Sequence, residues 1–460
     1  MIRLFRILGV LIAAAFMTVA PLASVYGDGA AQAQSSMRFR GGARGVLTIV
    51  PSGANTFYVV APNPQGGAIA FRMQRGVGVA ADSGNLGLSY PEFRLTGVFE
   101  LSSVTSDPTA PIGSWINDTG ANGYAINVGG KLGGEYHGIG TGSLNSEVFT
   151  ADGVTINPTA GIAYANSFTS STNVTIDWTG GNTATIAHTL TVNADATLSE
   201  AWPSITSTGA AATDAYIGMA ILTGPGPFEA AFGPSNLGFA VTDGRYQLGT
   251  PGEVTLRDAS TGKTLRSISN APTAGSYSLT RVLGQYAFNR EKLYYALPAG
   301  VLGPRSWYVR SMSFGKGAAG ATTFGANMVT NGDASSGVIS PWVSGIGTTT
   351  VVAGKFQQVQ AATENRLYEA VAGHTIGASY LMVANSDSGD PALGRLTVGI
   401  NNNSTTGALF TNSTVVDDNG QVYVATQATH YPMLRTATGT AGPVINWDDV
   451  TIRLLSTVSW

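Results

Sequence analysis

From Asn327 to Trp460, no stretch of about 12 residues carries an apolar stripe at helical spacing. Short apolar runs alternate there with Gly, Asn, Asp, Ser and Pro: Thr349–Val352, Ala378–Val383, Leu396–Ile400, Val422–Ala425 and Val450–Leu454. The last of these alternates apolar and polar residues, as a half-buried strand does. Upstream, the same texture predicts strands over Gly45–Val50, Thr56–Val60, Phe93–Leu101, Glu147–Thr150, Val174–Trp178 and Ala184–Val192. It predicts others over Ala215–Leu222, Gly238–Val241, Glu253–Leu256, Leu293–Ala296 and Trp307–Met312. Asp152-Gly153 and Asp243-Gly244 are hairpin signals. The fold class that follows is all-β, with multidomain antiparallel β-sandwiches.

The chain divides into four regions. Residues 1–33 read as a signal peptide, with Arg3 and Arg6 before the apolar run Ile7–Ala20 and an A-x-A site at Ala31-Gln32-Ala33. After its removal, no segment approaches the roughly 18 apolar residues of a membrane span. Residues 34–130 form an N-terminal β region and residues 131–322 a central β-sandwich. Gly315-Lys316-Gly317, with Gly320 and Gly325, reads as a slack linker into a module over residues 323–460. The expected location is exported: extracellular, periplasmic or cell surface.

Charged residues make up 11% of the chain and the net charge is −3. Typical domains hold about 25% charged residues, so this surface is neutral and hydroxyl-rich. Phosphate neutralisation needs clustered Lys and Arg, so nucleic acid is excluded as a partner. There is no cysteine, hence no disulfide framework.

Over residues 327–460 the sequence resembles the jelly-roll carbohydrate-binding modules of secreted glycan-degrading enzymes. The resemblance rests on Asn331-Gly332-Asp333 with Trp342 following, on Gly373 to Tyr380 midway, and on Trp447-Asp448-Asp449-Val450 at the close. It implies a C-terminal jelly roll, with Trp342 and Trp447 in the core, and a polysaccharide or cell-surface glycan as partner. It also implies a structural calcium on Asp333 and Asp448, although Ala334 and Ser335 stand where the family has Phe and Glu. The alternative is that Asp448 and Asp449 cap a turn. The central region loosely resembles β-domains of phage tail-fibre or tailspike-like proteins and of bacterial surface proteins. Its pattern is H-G, then D-G-V, then Tyr216-Ile217-Gly218-Met219.

Sugar binding needs an aromatic plate for the C–H face of a pyranose and polar groups for its hydroxyls. Tyr431 and His430 fall in a run, His430-Tyr431-Pro432, that reads as a loop and supplies such a plate. Asn403, in the polar run Asn401 to Gly407, supplies an amide. The enzyme alternative is a glycoside hydrolase or lyase built from Glu135, His137, Glu147 and His188 as general acid and base. No nucleophile elbow, P-loop or H-E-x-x-H motif is present. A further alternative is a receptor-binding or structural surface fibre, which would be a homo-oligomer.

Overall fold

The computed structural model describes residues 47–75, 91–117, 124–127, 142–178, 182–207, 214–241, 245–247, 252–269, 278–283, 290–296, 309–387, 394–402, 419–436, 442 and 444–460. Every regular element among them is a β-strand. The protein is all-β and multidomain, and its strands pair antiparallel almost throughout. The described strands form sheets of six, eleven, ten and five members.

The six-stranded sheet is buried on both faces. Thr56–Pro62 shows how alternation achieves this. Phe57, Val59 and Ala61 point into the main core, while Tyr58 and Val60 join Ala70 and Phe99 on the opposite side. The main core lies between this sheet and the eleven-stranded one, and it draws residues from Leu47 to Phe314 across both upstream regions, with Leu381 and Leu455 from the C-terminal region. Its centre is a phenylalanine cluster. The Phe57 ring lies 5.0 Å from Phe93, 5.5 Å from Phe149 and 5.6 Å from Phe168. Each such ring contributes roughly 1.5–3 kcal/mol on burial. The Asp152-Gly153 hairpin forms as its sequence requires, with φ of 49° and 80° at the two turn residues. Asp243-Gly244 lies outside the described residues.

The segment read as a slack linker is fastened instead. Gly317 N–H donates to the Gly262 carbonyl at 2.8 Å, and Gly320 N–H to the Ala259 carbonyl at 2.7 Å. The Arg257 guanidinium reaches the carbonyls of Ala318 (2.6 Å) and Gly320 (2.9 Å). A buried arginine with free N–H groups satisfies these carbonyls better than water would, and so the glycines supply turns rather than slack.

The C-terminal region is a two-sheet sandwich. One sheet is the five-stranded one and the other is the end of the ten-stranded sheet. Trp342, Phe356, Leu367, Leu396, Leu434 and Trp447 meet between them. Both tryptophans are buried, as the resemblance implies. The ten-stranded sheet continues into the central region, because Asn419–Val424 pairs in parallel with Arg245–Gln247. Ser456–Thr457 pairs with the edge strand Leu237–Val241 of the eleven-stranded sheet. Among the described residues, two sheet contacts thus join this region to the rest of the molecule, and Leu381 and Leu455 add packing against the main core.

Candidate functional site

The outer face of the five-stranded sheet gathers the polar and aromatic groups of the C-terminal sandwich. Its organising strand is Thr429–Thr436. The run read as a loop from Pro432 is thus a strand, and the reason is local. Thr429–His430 pairs with Val371–Ala372, and Met433–Arg435 pairs with Arg366–Tyr368. Pro432, which has no N–H to give, falls in the gap where the neighbouring strand changes. Alternation then sends His430 inward and Tyr431 outward.

His430 has no exposed surface. Its Nε2 accepts from the backbone N–H of Thr426 at 3.2 Å, and its Nδ1 lies 3.3 Å from the Gly399 carbonyl. A ring so enclosed offers no face to a sugar, and it serves as a core residue. Tyr431 is half-buried, and its ring meets that of Tyr368 edge-on at 6.1 Å. Asn402 donates to the Tyr368 hydroxyl at 3.2 Å. The Tyr368 ring lies against Gly345, where a Cβ would come within 2.8 Å of it. Asn403 lies outside the described residues.

Beside the tyrosines, Glu364 sits between two guanidinium groups. Its Oε1 accepts from Arg366 at 2.6 Å and its Oε2 from Arg435. Burial alone would raise the Glu364 carboxyl, but Arg435 and Arg366 outweigh it and hold it below its ordinary value. Arg395 faces Arg435 directly across the ladder. The described part of this face carries three guanidiniums against one carboxylate. Sequence reading passed over Tyr368, Glu364, Arg366 and Arg435 as a set. Cross-strand register unites them, and only the alternation of Thr429–Thr436 carried a trace of it.

Asp333 and Asp448 lie near enough to influence each other. Asp333 accepts from the Ser335 N–H at 3.1 Å, and Asp448 accepts from the Asp449 N–H at 2.9 Å. Burial pushes the Asp448 carboxyl up, and Lys355 Nζ lies 3.9 Å from it. Asp449 is the left-handed residue of the turn, at φ 48°. No group of three metal-type side chains occurs among the described residues. Both carboxylates accept backbone N–H groups, as turn caps do.

Of the acid–base candidates, Glu135 and His137 lie outside the described residues. Glu147 and His188 share one face of the eleven-stranded sheet, because both stand opposite Thr172 on the intervening strand. Each has contacts within the protein. Glu147 pairs with Arg75 and accepts the Phe93 N–H at 2.7 Å, and burial pushes its carboxyl up. His188 stacks on Trp202 at 4.8 Å, with Nε2 3.4 Å from Glu200. Glu200 is bound by the fully buried Arg310 at 2.5 Å.

No family model matches this sequence, and no curated protein is similar to it. Among solved structures, the enzymatically active domain of tailspike protein 4 of bacteriophage CBA120 is 14% identical at a TM-score of 0.22. The match covers 28% of this chain and 21% of the tailspike chain. An exo-beta-1,3-galactanase from Phanerochaete chrysosporium is 8% identical over 89% of this chain and 95% of its own, at a TM-score of 0.24. A secreted serine protease from Vibrio cholerae is 9% identical over 89% of this chain and 96% of its own, at a TM-score of 0.18. These overlaps are too loose to assign a fold family or an activity.

Proposed function

We propose that this chain is an exported carbohydrate-binding protein that holds a polysaccharide or cell-surface glycan against the outer face of its C-terminal sandwich. One observation carries the reading: Tyr368 and Tyr431 form a half-buried aromatic corner beside Asn402 and the Arg366–Glu364–Arg435 set. The rings pack against the C–H face of a pyranose, and the fixed guanidinium and amide groups bond its hydroxyls. The hydroxyl-rich composition and the resemblance to jelly-roll binding modules support it. The test is a glycan array with residues 34–460, followed by titration of any ligand found. Tyr431→Ala and Tyr368→Ala are each expected to weaken binding about tenfold or more, at unchanged thermal stability. Undiminished binding by both variants discards this face.

A second reading is cleavage of the glycan. It is favoured by one arrangement, the common face of Glu147 and His188 with Glu200 beyond. Release of reducing ends or unsaturated products, abolished by His188→Ala in a protein that still folds, would establish it. A tail-fibre role instead predicts a stable trimer in solution.

A further inference from the structure

A groove of about 400 Å³ crosses the eleven-stranded sheet on its outer face, away from the tyrosine corner. Its floor is set by register. Thr255, Arg266 and Ser313 stand directly opposite one another on three adjacent strands, so their side chains emerge in one row. Thr264 and Gly315 form the next pair. A Cβ on Gly315 would come within 2.8 Å of the Thr264 hydroxyl, so the glycine keeps the floor open. Asn63 and Asp195, from two hairpin turns, line one wall, and Trp460 lines another.

Trp460 is held as a rigid plate. Its Nε1 donates to Thr322 Oγ1 at 3.2 Å, and that hydroxyl donates to Glu229 at 2.8 Å. Glu229 pairs with Arg257, whose guanidinium lies 5.4 Å from the indole centroid. The polar wall is equally fixed. Glu253 binds Arg266 at 2.5 Å, and Asp195 takes the Thr197 hydroxyl at 2.6 Å. Among the lining residues, two carboxylates face one guanidinium.

We infer that this groove is a second carbohydrate site, which takes a neutral sugar unit stacked on Trp460 and bonded through its hydroxyls to Glu253, Arg266 and Asp195. An apolar ligand would take water from the floor hydroxyls and wall carboxylates without replacing its hydrogen bonds, and an acidic sugar would meet the excess negative charge. A rigid indole beside prepaid hydrogen-bond geometry suits a polyhydroxylated ring, which offers an apolar face and a polar rim together. The inference does not depend on the tyrosine corner.

The indole N–H resonance of Trp460, assigned by its loss in Trp460→Phe, reports on the groove in the full chain. The probes are the hexaoses of β-1,4-glucan, β-1,4-xylan and β-1,3-galactan, with a galacturonic acid oligomer as the acidic arm. At least one neutral hexaose is expected to shift this resonance saturably. Ser313→Phe fills the floor without touching the Trp460 network, and it is expected to weaken that binding about tenfold or more. Tyr431→Ala leaves the shift unchanged, which separates this site from the proposed one. Silence from all three neutral hexaoses at about 10 mM, a preference for the acidic oligomer, or undiminished binding by Ser313→Phe overturns the inference.

Discussion

The two hydrophobic cores bury polar groups by opposite means. In the two upstream regions the buried polar side chains include charged pairs: Glu200 with Arg310, Glu229 with Arg257, and Glu92 with Arg94. In the C-terminal sandwich the groups at the centre are neutral. His374 Nε2 meets the Tyr423 hydroxyl at 2.7 Å, Tyr380 accepts the Thr375 N–H at 2.8 Å, and Trp447 donates to Gln358 at 3.0 Å. Charged pairs lock strands in register, but each becomes costly once a partner is lost. Neutral networks cost less to break and answer instead to protonation. The regions should therefore fail under different insults.

The sharpest test is Arg310→Met. It removes the guanidinium from Glu200, which has no exposed side-chain surface, and should lower stability by about 3–5 kcal/mol, read as a fall in the thermal midpoint. The double change with Glu200→Gln should recover much of that. Equal losses in the single and double variants would show that packing at Arg310, not charge, carries the effect. In the other core, Gln358→Leu removes the acceptor of Trp447 and the donor to the Leu434 carbonyl, and it should cost about 1–3 kcal/mol. A loss as large as that of Arg310→Met would erase the distinction.

The smallest effect is a pH response. Burial, with His430 beside it, lowers His374 to about 4 from the ordinary 6.5. The folded state then binds fewer protons than the unfolded one, so stability is lost as pH falls below about 6.5 and down to about 4. Glu369 works in the opposite sense. Burial raises it to about 7 against the Thr330 N–H, so its contribution is full below about 4.5 and is lost as pH rises through 7. In a pH series of thermal midpoints, His374→Gln should flatten the acid side and Glu369→Gln the neutral side. Glu200, held below its ordinary value by Arg310 and His188 against burial, should add a loss of stability confined to pH below about 4.5.

The strands were legible wherever one face was apolar and the other polar. Thr349–Val352, a run of β-branched residues, appears with the bounds read from the sequence. Lys263–Ser269 escaped because its inward face carries Lys263, Ser267 and Ser269, with only Leu265 apolar among them. Lys263 points inward to reach Glu100 at 3.0 Å and to lie 4.7 Å over Trp115. Tyr431 was legible as an aromatic, but its setting was not. Tyr368 and Arg366 arrive from a distant strand by pairing, and a proline disguised the strand that brings them. The same holds for the groove. Its row of Thr255, Arg266 and Ser313 is spaced irregularly along the chain and becomes a row only across the ladder.

The pairing of Ser456–Thr457 with Leu237–Gly238 also bears on assembly and solubility. The strand Leu237–Val241 is an edge until the final residues cover it, and Val458 packs against the space left by Gly238. An uncovered edge is a template for another chain. A protein shortened by its last five residues should expose that template with Phe239 beside it, and it should aggregate even though no residue of either core has been removed. The last turn of the chain thus acts as its own gatekeeper against self-association.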